Sequence, residues 1–432
     1  MRKSWMIVPA VLAVVVCGAR ADWPQFQGPD RNGISAETGL AKSWPAEGPK
    51  KLWQFDLGVG FAAPAIQGGK VYILDRVDAK QDVLRCLSLA TGKEEWTFAY
   101  DCPGPVQSDH PGSRTTPTVD DKYVFIVGPY GQFHCIDKTT HQPLWKAHLL
   151  EDFDSQRPNW GVAQSPVLYK DWVIVAPMGK KAGVVAFEKA TGKIAWRSAP
   201  IGQMEYASPV ITKVDGVEQV VMLGKSGKTT VISGVDIKDG KVLWTYDGWK
   251  CSIAVPSPTP IGDGRFFITG DYGAGCAMWQ VKKDGEKFAV TELFKNRNCD
   301  SHCHNALLYK GNLYANSSKT DKGLVCLDLD GNTLWKTDKA PSFDLGGGLM
   351  IADGMIYIMD GKSGTLYLAE ASPAGYKQLA KAKVLDGKGE KVWSPMALTD
   401  GKLLVRDQHM LRCLDVKGGA NAQTQPATQP AK

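Results

Sequence analysis

Apolar residues fall in short β-branched and aromatic runs, such as Val71-Tyr72-Ile73-Leu74 and Tyr123-Val124-Phe125-Ile126-Val127, each bounded by Gly or Asp turns. Such runs predict strands, and Asp353-Gly354 and Asp400-Gly401 predict tight hairpins between them. The runs recur in a fixed order. A strand opened by a Pro is followed by a second strand, by a third ending in a Cys or Leu-Asp step, and then by TGK-x-x-W or a variant. The pattern is complete from Ser165-Pro166 to Thr191-Gly192-Lys193-Ile194-Ala195-Trp196, and recurs from Thr116-Pro117 through Cys135-Ile136-Asp137 to Trp145. A supersecondary unit of roughly 40–50 residues repeated in this way predicts a propeller or a solenoid.

Aligned units place Trp53, Trp96, Trp145, Trp196, Trp244 and Trp335 in equivalent positions, with Phe294 in one unit and a degenerate unit near Tyr376 to Val384. Openings at Ala63-Pro64, Thr116-Pro117, Ser165-Pro166, Ser208-Pro209, Ser257-Pro258, Asn305-Ala306, Gly347-Gly348 and Ser394-Pro395 give eight units. Lys51 to Phe55 reads as a final strand without its own unit, and the unit from Trp393 to Asp415 lacks a final strand. Joining the two closes a ring and removes open edges between units. The fold expected is therefore all-β: an eight-bladed β-propeller of four-stranded antiparallel blades over residues 51–416, closed by pairing the N-terminal strand with the C-terminal blade. The Gly of Thr-Gly-Lys supplies a positive φ before the outer strand, and the Trp after it packs between blades.

The flanks read differently. Met1-Arg2-Lys3, an apolar stretch from Trp5 to Val16 and Ala19-Arg20-Ala21 form a secretory leader over residues 1–21, too short to span a membrane. The expectation is an exported chain, periplasmic or extracellular, that starts at Asp22 and is not an integral membrane protein. Cys17 follows Val16, where a lipid-anchoring signal has Gly, Ala or Ser, which argues against an anchor. Residues 22–50 read as an extended Gly/Pro-rich arm, and residues 417–432, poor in large apolar side chains, as a disordered tail.

The formal charge of +6 includes Arg2, Lys3 and Arg20 of the leader, and no basic block remains to follow a phosphate backbone, so nucleic acid is excluded as a partner. Ten cysteines in an exported chain raise the expectation of disulfides. Cys86, Cys135, Cys326 and Cys413 share one repeat position and read as buried thiols. Cys251, Cys276, Cys299 and Cys303 are the better disulfide candidates, leaving Cys102 over.

The Ser-Pro opening, the Cys/Leu-Asp step and the TGK-x-x-W ending resemble the repeat shared by pyrroloquinoline quinone (PQQ) dehydrogenases and by BamB-like propellers of outer-membrane assembly. Asp22-Trp23-Pro24-Gln25 through Gly28-Pro29, Arg114-Thr115-Thr116-Pro117 and Trp160-Gly161 with Ser165-Pro166 are similar to segments of an exported bacterial group of such repeat proteins. The resemblance implies PQQ and Ca²⁺ as possible cofactors. It also implies, for the enzymes, a vicinal Cys pair over the cofactor, carboxylate and amide ligands for Ca²⁺, an Asp base and long lid inserts. No Cys-Cys pair occurs here, the chain is short for such an enzyme, and its Asp and Asn residues sit at turns, where they are expected anyway.

In a propeller the connectors entering the innermost strands converge on one mouth of the channel. Two are long: Thr97 to Thr115 carries Asp109, His110 and Arg114, and Lys146 to Gln164 carries Glu151, Asp152, Asp154, Arg157, Trp160 and Gln164. Glu205-Tyr206, Lys225, Asp271-Tyr272, Trp393 and Arg406 fall at comparable turns. Arg114 and Trp160 lead the candidates, because a guanidinium fork and an aromatic face together hold a carboxylate-bearing or planar ligand or a peptide. The alternative is that Arg114 braces neighbouring loops and Trp160 packs on the ring top. Cys299-Asp300-Ser301-His302-Cys303-His304 reads as a disulfide or plain loop, as a metal site of Cys299, His302, Cys303 and His304, or as an off-spacing haem attachment. On a strand, His302 and His304 would point one way and Cys303 the other.

The leading expectation is a non-catalytic scaffold that binds a protein, peptide or envelope component, as a monomer or within an assembly, with no cofactor. A PQQ- and Ca²⁺-dependent alcohol or sugar dehydrogenase is the alternative, and an enzyme acting on polysaccharide the second.

Overall fold

The computed structural model describes residues 22–107, 110–317, 323–337, 343, 347–387 and 391–419. The leader and the tail beyond Gly419 lie outside the described residues, as does Asp109. The described residues contain no helix, and none is therefore long and apolar enough to cross a membrane.

Eight antiparallel blades of four strands follow one another along the chain, and two of their sheets gain a fifth, two-residue strand, Ile34–Ser35 in blade 7 and Gln203–Met204 in blade 4. The first runs Ala65–Gln67, Lys70–Val77, Gln81–Ser88 and Glu94–Asp101 from the inside outward. The eighth contains Ala397–Thr399, Lys402–Arg406 and Met410–Asp415, and its outermost strand is Lys50–Asp56 from the other end of the chain. Its innermost strand lies beside that of blade 1, so the ring is closed. The expected propeller and its closure are both present.

Two repeated devices hold blade to blade. On the outer side, the turn glycine of one blade lies against the aromatic ring of the blade before it. A Cβ on Gly92 would stand 2.6 Å from Trp53, one on Gly192 2.7 Å from Trp145, and one on Gly331 2.5 Å from Phe294. The indoles complete the contact by donating across the gap, Trp53 Nε1 to Leu89 O and Trp145 Nε1 to Lys189 O, both at 2.8 Å.

On the inner side, the Thr or Ser before Pro in blades 2 to 5 bonds sideways. The amide N–H of Thr116 donates to Ser165 Oγ, that of Ser165 to Ser208 Oγ, that of Ser208 to Ser257 Oγ and that of Ser257 to Asn305 Oδ1. An inner strand has a neighbour on one side only, and the Pro that follows has no N–H, so this amide is satisfied by the next blade's side chain.

The repeat also encodes a bulge. In every blade the pairing of third and fourth strands slips by one residue just before the aromatic position, as between Lys51 and Trp53 or between Pro143 and Trp145. The skipped residues Leu52, Leu144, Leu293 and Leu334 are exposed at the outer wall. A bulge there twists the outer strand and blunts an otherwise open sheet edge. In blade 7 the aromatic position is Ala380, and Trp335 of blade 6 packs instead against Tyr376, 6.1 Å away.

The arm is not merely extended: it enters the ring. Trp23 exchanges backbone hydrogen bonds with Ile66, the Val119 amide donates to Pro24 O, Asn305 Nδ2 donates to Gln27 Oε1, and Ile34–Ser35 runs parallel to Leu349–Ala352 of blade 7. The arm crosses one face of the channel while the connectors surround the other.

Candidate functional site

The connectors that enter the inner strands enclose a cavity of about 420 Å³ at the open face of the ring. It is lined chiefly by the rings of Phe61, His110, Trp160, Tyr206, Tyr272 and Trp393, with Arg114 and Lys391 at its wall and Phe26 of the arm also facing it. The long connector before Thr116 brings in His110 and Arg114. The Arg114 guanidinium donates to Gly112 O and His110 O and lies 5.0 Å over the Phe61 ring. Lys391 Nζ donates to His110 Nε2 at 2.7 Å and lies 5.4 Å over Trp393. The His110 ring stands 5.3 Å from Trp393 and 6.4 Å from Trp160.

Trp160 is fixed from the other side. Its amide donates to Tyr206 Oη at 3.5 Å, and the two rings meet edge to face at 5.8 Å. Burial pushes the Tyr206 phenol up to about 12 and leaves it a neutral hydrogen-bonding group. An adjoining groove of about 360 Å³ shares Trp160, Tyr206 and Ile253 with the cavity and continues past Arg157, Glu205, Lys225 and Ser252.

The structure brings Arg114, Trp160, His110 and Tyr206 together at the mouth. Lys225 lies in the adjoining groove, where its amine donates to Ser252 O at 2.7 Å and stands 3.8 Å from Glu205. Gln164, Asp271 and Arg406 lie behind the lining. The Gln164 amide donates to Ala176 O and accepts from Ala176 N–H, closing the entry to blade 3. Asp271 caps the Tyr272 amide. Arg406, buried inside the ring, donates to the carbonyls of Gly58, Ala62, Leu74 and Asp407 and braces the connector that carries Phe61. Lys391 and Phe26 carry no repeat signal. Phe26 is the one phenylalanine of a polar, Gly/Pro-rich arm, and that isolation is its only mark in the sequence.

The Cys299 to His304 segment is a plain loop, one of the readings its sequence offered, and not the disulfide offered beside it. It is irregular, with bends at His302 to His304, so the two-residue alternation of a strand does not apply, and His302, Cys303 and His304 all line the cavity. Cys299 points away, accepting from Thr269 Oγ1 at 3.3 Å. Among the described residues no three His, Cys, Asp or Glu side chains converge on a metal position. The nine described cysteines are free thiols, contrary to the disulfides expected of Cys251, Cys276, Cys299 and Cys303. Three of the four are turned to different partners: Cys299 Sγ to Thr269, Cys276 Sγ donating to Asn296 Oδ1 at 3.1 Å and Cys251 Sγ donating to Ile253 O at 3.1 Å. Burial raises the Cys303 thiol to about 12.

Ring, repeat and mouth define the class: a β-propeller of the PQQ-like repeat type, with its ligand-sized cavity where the inner-strand connectors meet. The chain belongs to the family described as outer membrane protein assembly factor BamB, whose model matches residues 79–320 and, overlapping them, 134–371. No curated protein matches the sequence. Among solved structures, the quinohemoprotein alcohol dehydrogenase of Comamonas testosteroni is similar over 95% of this chain and 83% of its own, at 14% identity and a TM-score of 0.63. BamB from Moraxella catarrhalis is similar over 86% of this chain and 99% of its own, at 13% identity and a TM-score of 0.58. A europium-containing methanol dehydrogenase is similar over 89% of each chain, at 12% identity and a TM-score of 0.61. At these identities the likeness is one of fold, which enzymes and non-enzymes share.

Proposed function

We propose that this chain is an exported envelope protein that holds a polypeptide segment at the propeller mouth and carries out no chemistry of its own. The observation that supports this reading is the continuity of the aromatic cavity with the groove beside it across Trp160 and Tyr206. A well that accepts one aromatic side chain, joined to a groove edged by backbone and amide groups, suits an extended peptide, with the ring as anchor and the groove as register. The family and the likeness to BamB agree with a binding role.

The alternative is a quinoprotein oxidoreductase, favoured by the fold and by the flat aromatic walls beside Arg114. A Ca²⁺-borne quinone calls for several oxygen ligands, carboxylates among them. No carboxylate among the described residues lines the cavity, so those residues do not fit that group and no step is derived through it.

Peptide display against the purified chain, followed by calorimetry, tests the proposal. Selected peptides are expected to carry an aromatic residue and to lose affinity by about ten-fold or more with Trp160→Ala, in line with an aromatic anchor in a pocket. Saturable binding of PQQ in the presence of Ca²⁺, with no peptide selected, overturns it in favour of the oxidoreductase.

A further inference from the structure

The channel is divided. The upper cavity opens at the mouth, and a second cavity of about 500 Å³ lies on the opposite face between the arm and the inner strands of blades 3 to 6. Consecutive arm residues separate the two: Phe26 lines the upper cavity, while its neighbours Gln25 and Gln27 line the lower one. The wall between them is one loop, turned back on itself by Gly28 N–H to Gln25 O, Arg31 N–H to Gly28 O and Gly33 N–H to Gln27 O. Gly28 has a φ of 83°, and a Cβ there would stand 2.8 Å from the Trp23 ring. This tight turn presents Phe26 to the well.

One cation holds the loop across the channel. Arg31 Nη1 donates to Pro166 O at 3.0 Å and Nη2 to Pro209 O at 3.1 Å, bonding the inner strands of blades 3 and 4 at once. Burial lowers this guanidinium to about 10, so it remains charged at neutral pH and relies on those carbonyls. Contacts of the arm with Ile66, Val119, Asn305 and Ile351 fasten the loop to blades 1, 2, 6 and 7.

We propose that the N-terminal arm is the floor of the binding well: Phe26 contacts the ligand and sets how deep a group the mouth accepts, and Arg31 is the positioning residue that holds it there. This rests on the mouth being a binding site, as proposed above. It adds that the site is built from both ends of the channel, and that the channel is a blind well and not a pore. An aromatic or long apolar side chain entering past Trp160 meets the Phe26 ring.

Two readouts test it on the mature chain. Hydrogen exchange at the amides of Arg31, Gly33 and Ile66, which are donors in the loop and its anchors, reports arm docking without any ligand. The fluorescence of anilinonaphthalene sulfonate, an aromatic probe, reports the well. Arg31→Ala is expected to speed exchange at the arm amides by ~10- to 100-fold, as loss of two charge-assisted bonds implies, while Ser165 in the ring stays protected and Arg31→Lys recovers part of the effect.

Phe26→Ala is expected to leave arm exchange unchanged but to weaken the probe by about ten-fold, and Arg31→Ala to weaken it similarly. Unchanged exchange in Arg31→Ala overturns the anchoring role, and unchanged probe affinity in Phe26→Ala overturns the floor. If the wild-type chain takes up no probe while its arm amides are protected, the reading of the mouth fails and the ligand role of Phe26 fails with it, but the anchor remains measurable by exchange alone.

Discussion

The backbone N–H of Ser165 donates to the hydroxyl oxygen of Ser208, 2.9 Å away in the next blade. Five consecutive inner strands, from Thr116 to Asn305, are joined by four such bonds, and the Ser-Pro dipeptide of the repeat is thereby an element of ring closure as well as a strand opener. Ser208→Ala removes the acceptor and leaves a buried N–H without a partner, at a cost of about 1–3 kcal/mol. Ser257→Ala should cost more, because Ser257 Oγ accepts from Ser208 N–H and also donates to Ser208 O. Urea unfolding of the two variants measures the order. Equal stability to wild type would show that water replaces the hydroxyls.

Glycine substitutions separate the outer contact from turn conformation. Gly192 and Gly216 both have positive φ, at 70° and 84°, but a Cβ at Gly192 would clash with the Trp145 ring whereas one at Gly216 meets nothing within 4 Å. Gly216→Ala should cost only the left-handed penalty of about 1–2 kcal/mol. Gly192→Ala should cost about 1–3 kcal/mol beyond that, as overpacking does. Thermal melts of the pair check the difference, and equal losses would mean that the ring shifts without strain.

Two arginines of neighbouring loops should behave in opposite ways. Arg406 is buried against four carbonyls, so Arg406→Ala strips the Phe61 connector of its brace and should destabilise the fold by about 3–5 kcal/mol. Arg114 is half-buried at the cavity wall, and Arg114→Ala should leave the melting temperature within a few degrees while weakening ligand capture. A large loss of stability in Arg114→Ala would assign it to bracing the connector alone.

Stability should fall in mild acid through His134. Burial, with repulsion from Lys146 and His148 added, pushes this imidazole from 6.5 down to about 4. The unfolded chain then binds the proton more readily than the folded one, so stability is complete above pH 6.5 and declines as pH falls toward 4. The loss is at most about 3 kcal/mol. The His134 ring packs 4.5 Å from Tyr100 and 5.4 Å from Phe98, so His134→Phe keeps an aromatic ring and removes the titration. Between pH 7 and pH 4 the urea midpoint should fall more steeply for the wild type than for the variant, and equal slopes would show that His134 does not carry the acid loss.

The thiols give a further check. With nine described cysteines unpaired and only Cys303 partly exposed, native labelling by a thiol reagent should be slow and confined to Cys303, and reductant should leave the melting temperature unchanged. A lower melting temperature under reductant would reveal a disulfide in the folded chain.

The eight blades, their order and their closure are written in local signals: the Pro that opens a strand, the turn glycine with positive φ, the aromatic after it and the orphan strands at either end. These features are legible because each follows from the conformation of a few adjacent residues or from a period that repeats. Trp145 and Gly192 illustrate the limit, since the motif announces both, and that one rests on the other follows only from the stacking of successive blades.

The site was legible only in part. Arg114, Trp160, His110 and Tyr206 meet because connectors converge, which the repeat implies. Gln164, Asp271 and Arg406 sit at similar places in the repeat and yet face inward, because the direction of a side chain at a turn depends on which carbonyls and amides lie within reach. Cys299 and Cys303 likewise part company in a bent segment that no spacing rule describes. Phe26 and Arg31, more than a hundred residues from the inner strands of blades 3 and 4, are joined to the channel by contacts that carry no periodic trace. The sequence alone determined the repeat and the ring, since these are local and redundant. Which face of the ring is open, what forms its floor and which polar groups reach the mouth were decided by the tertiary structure, since they depend on single long-range contacts.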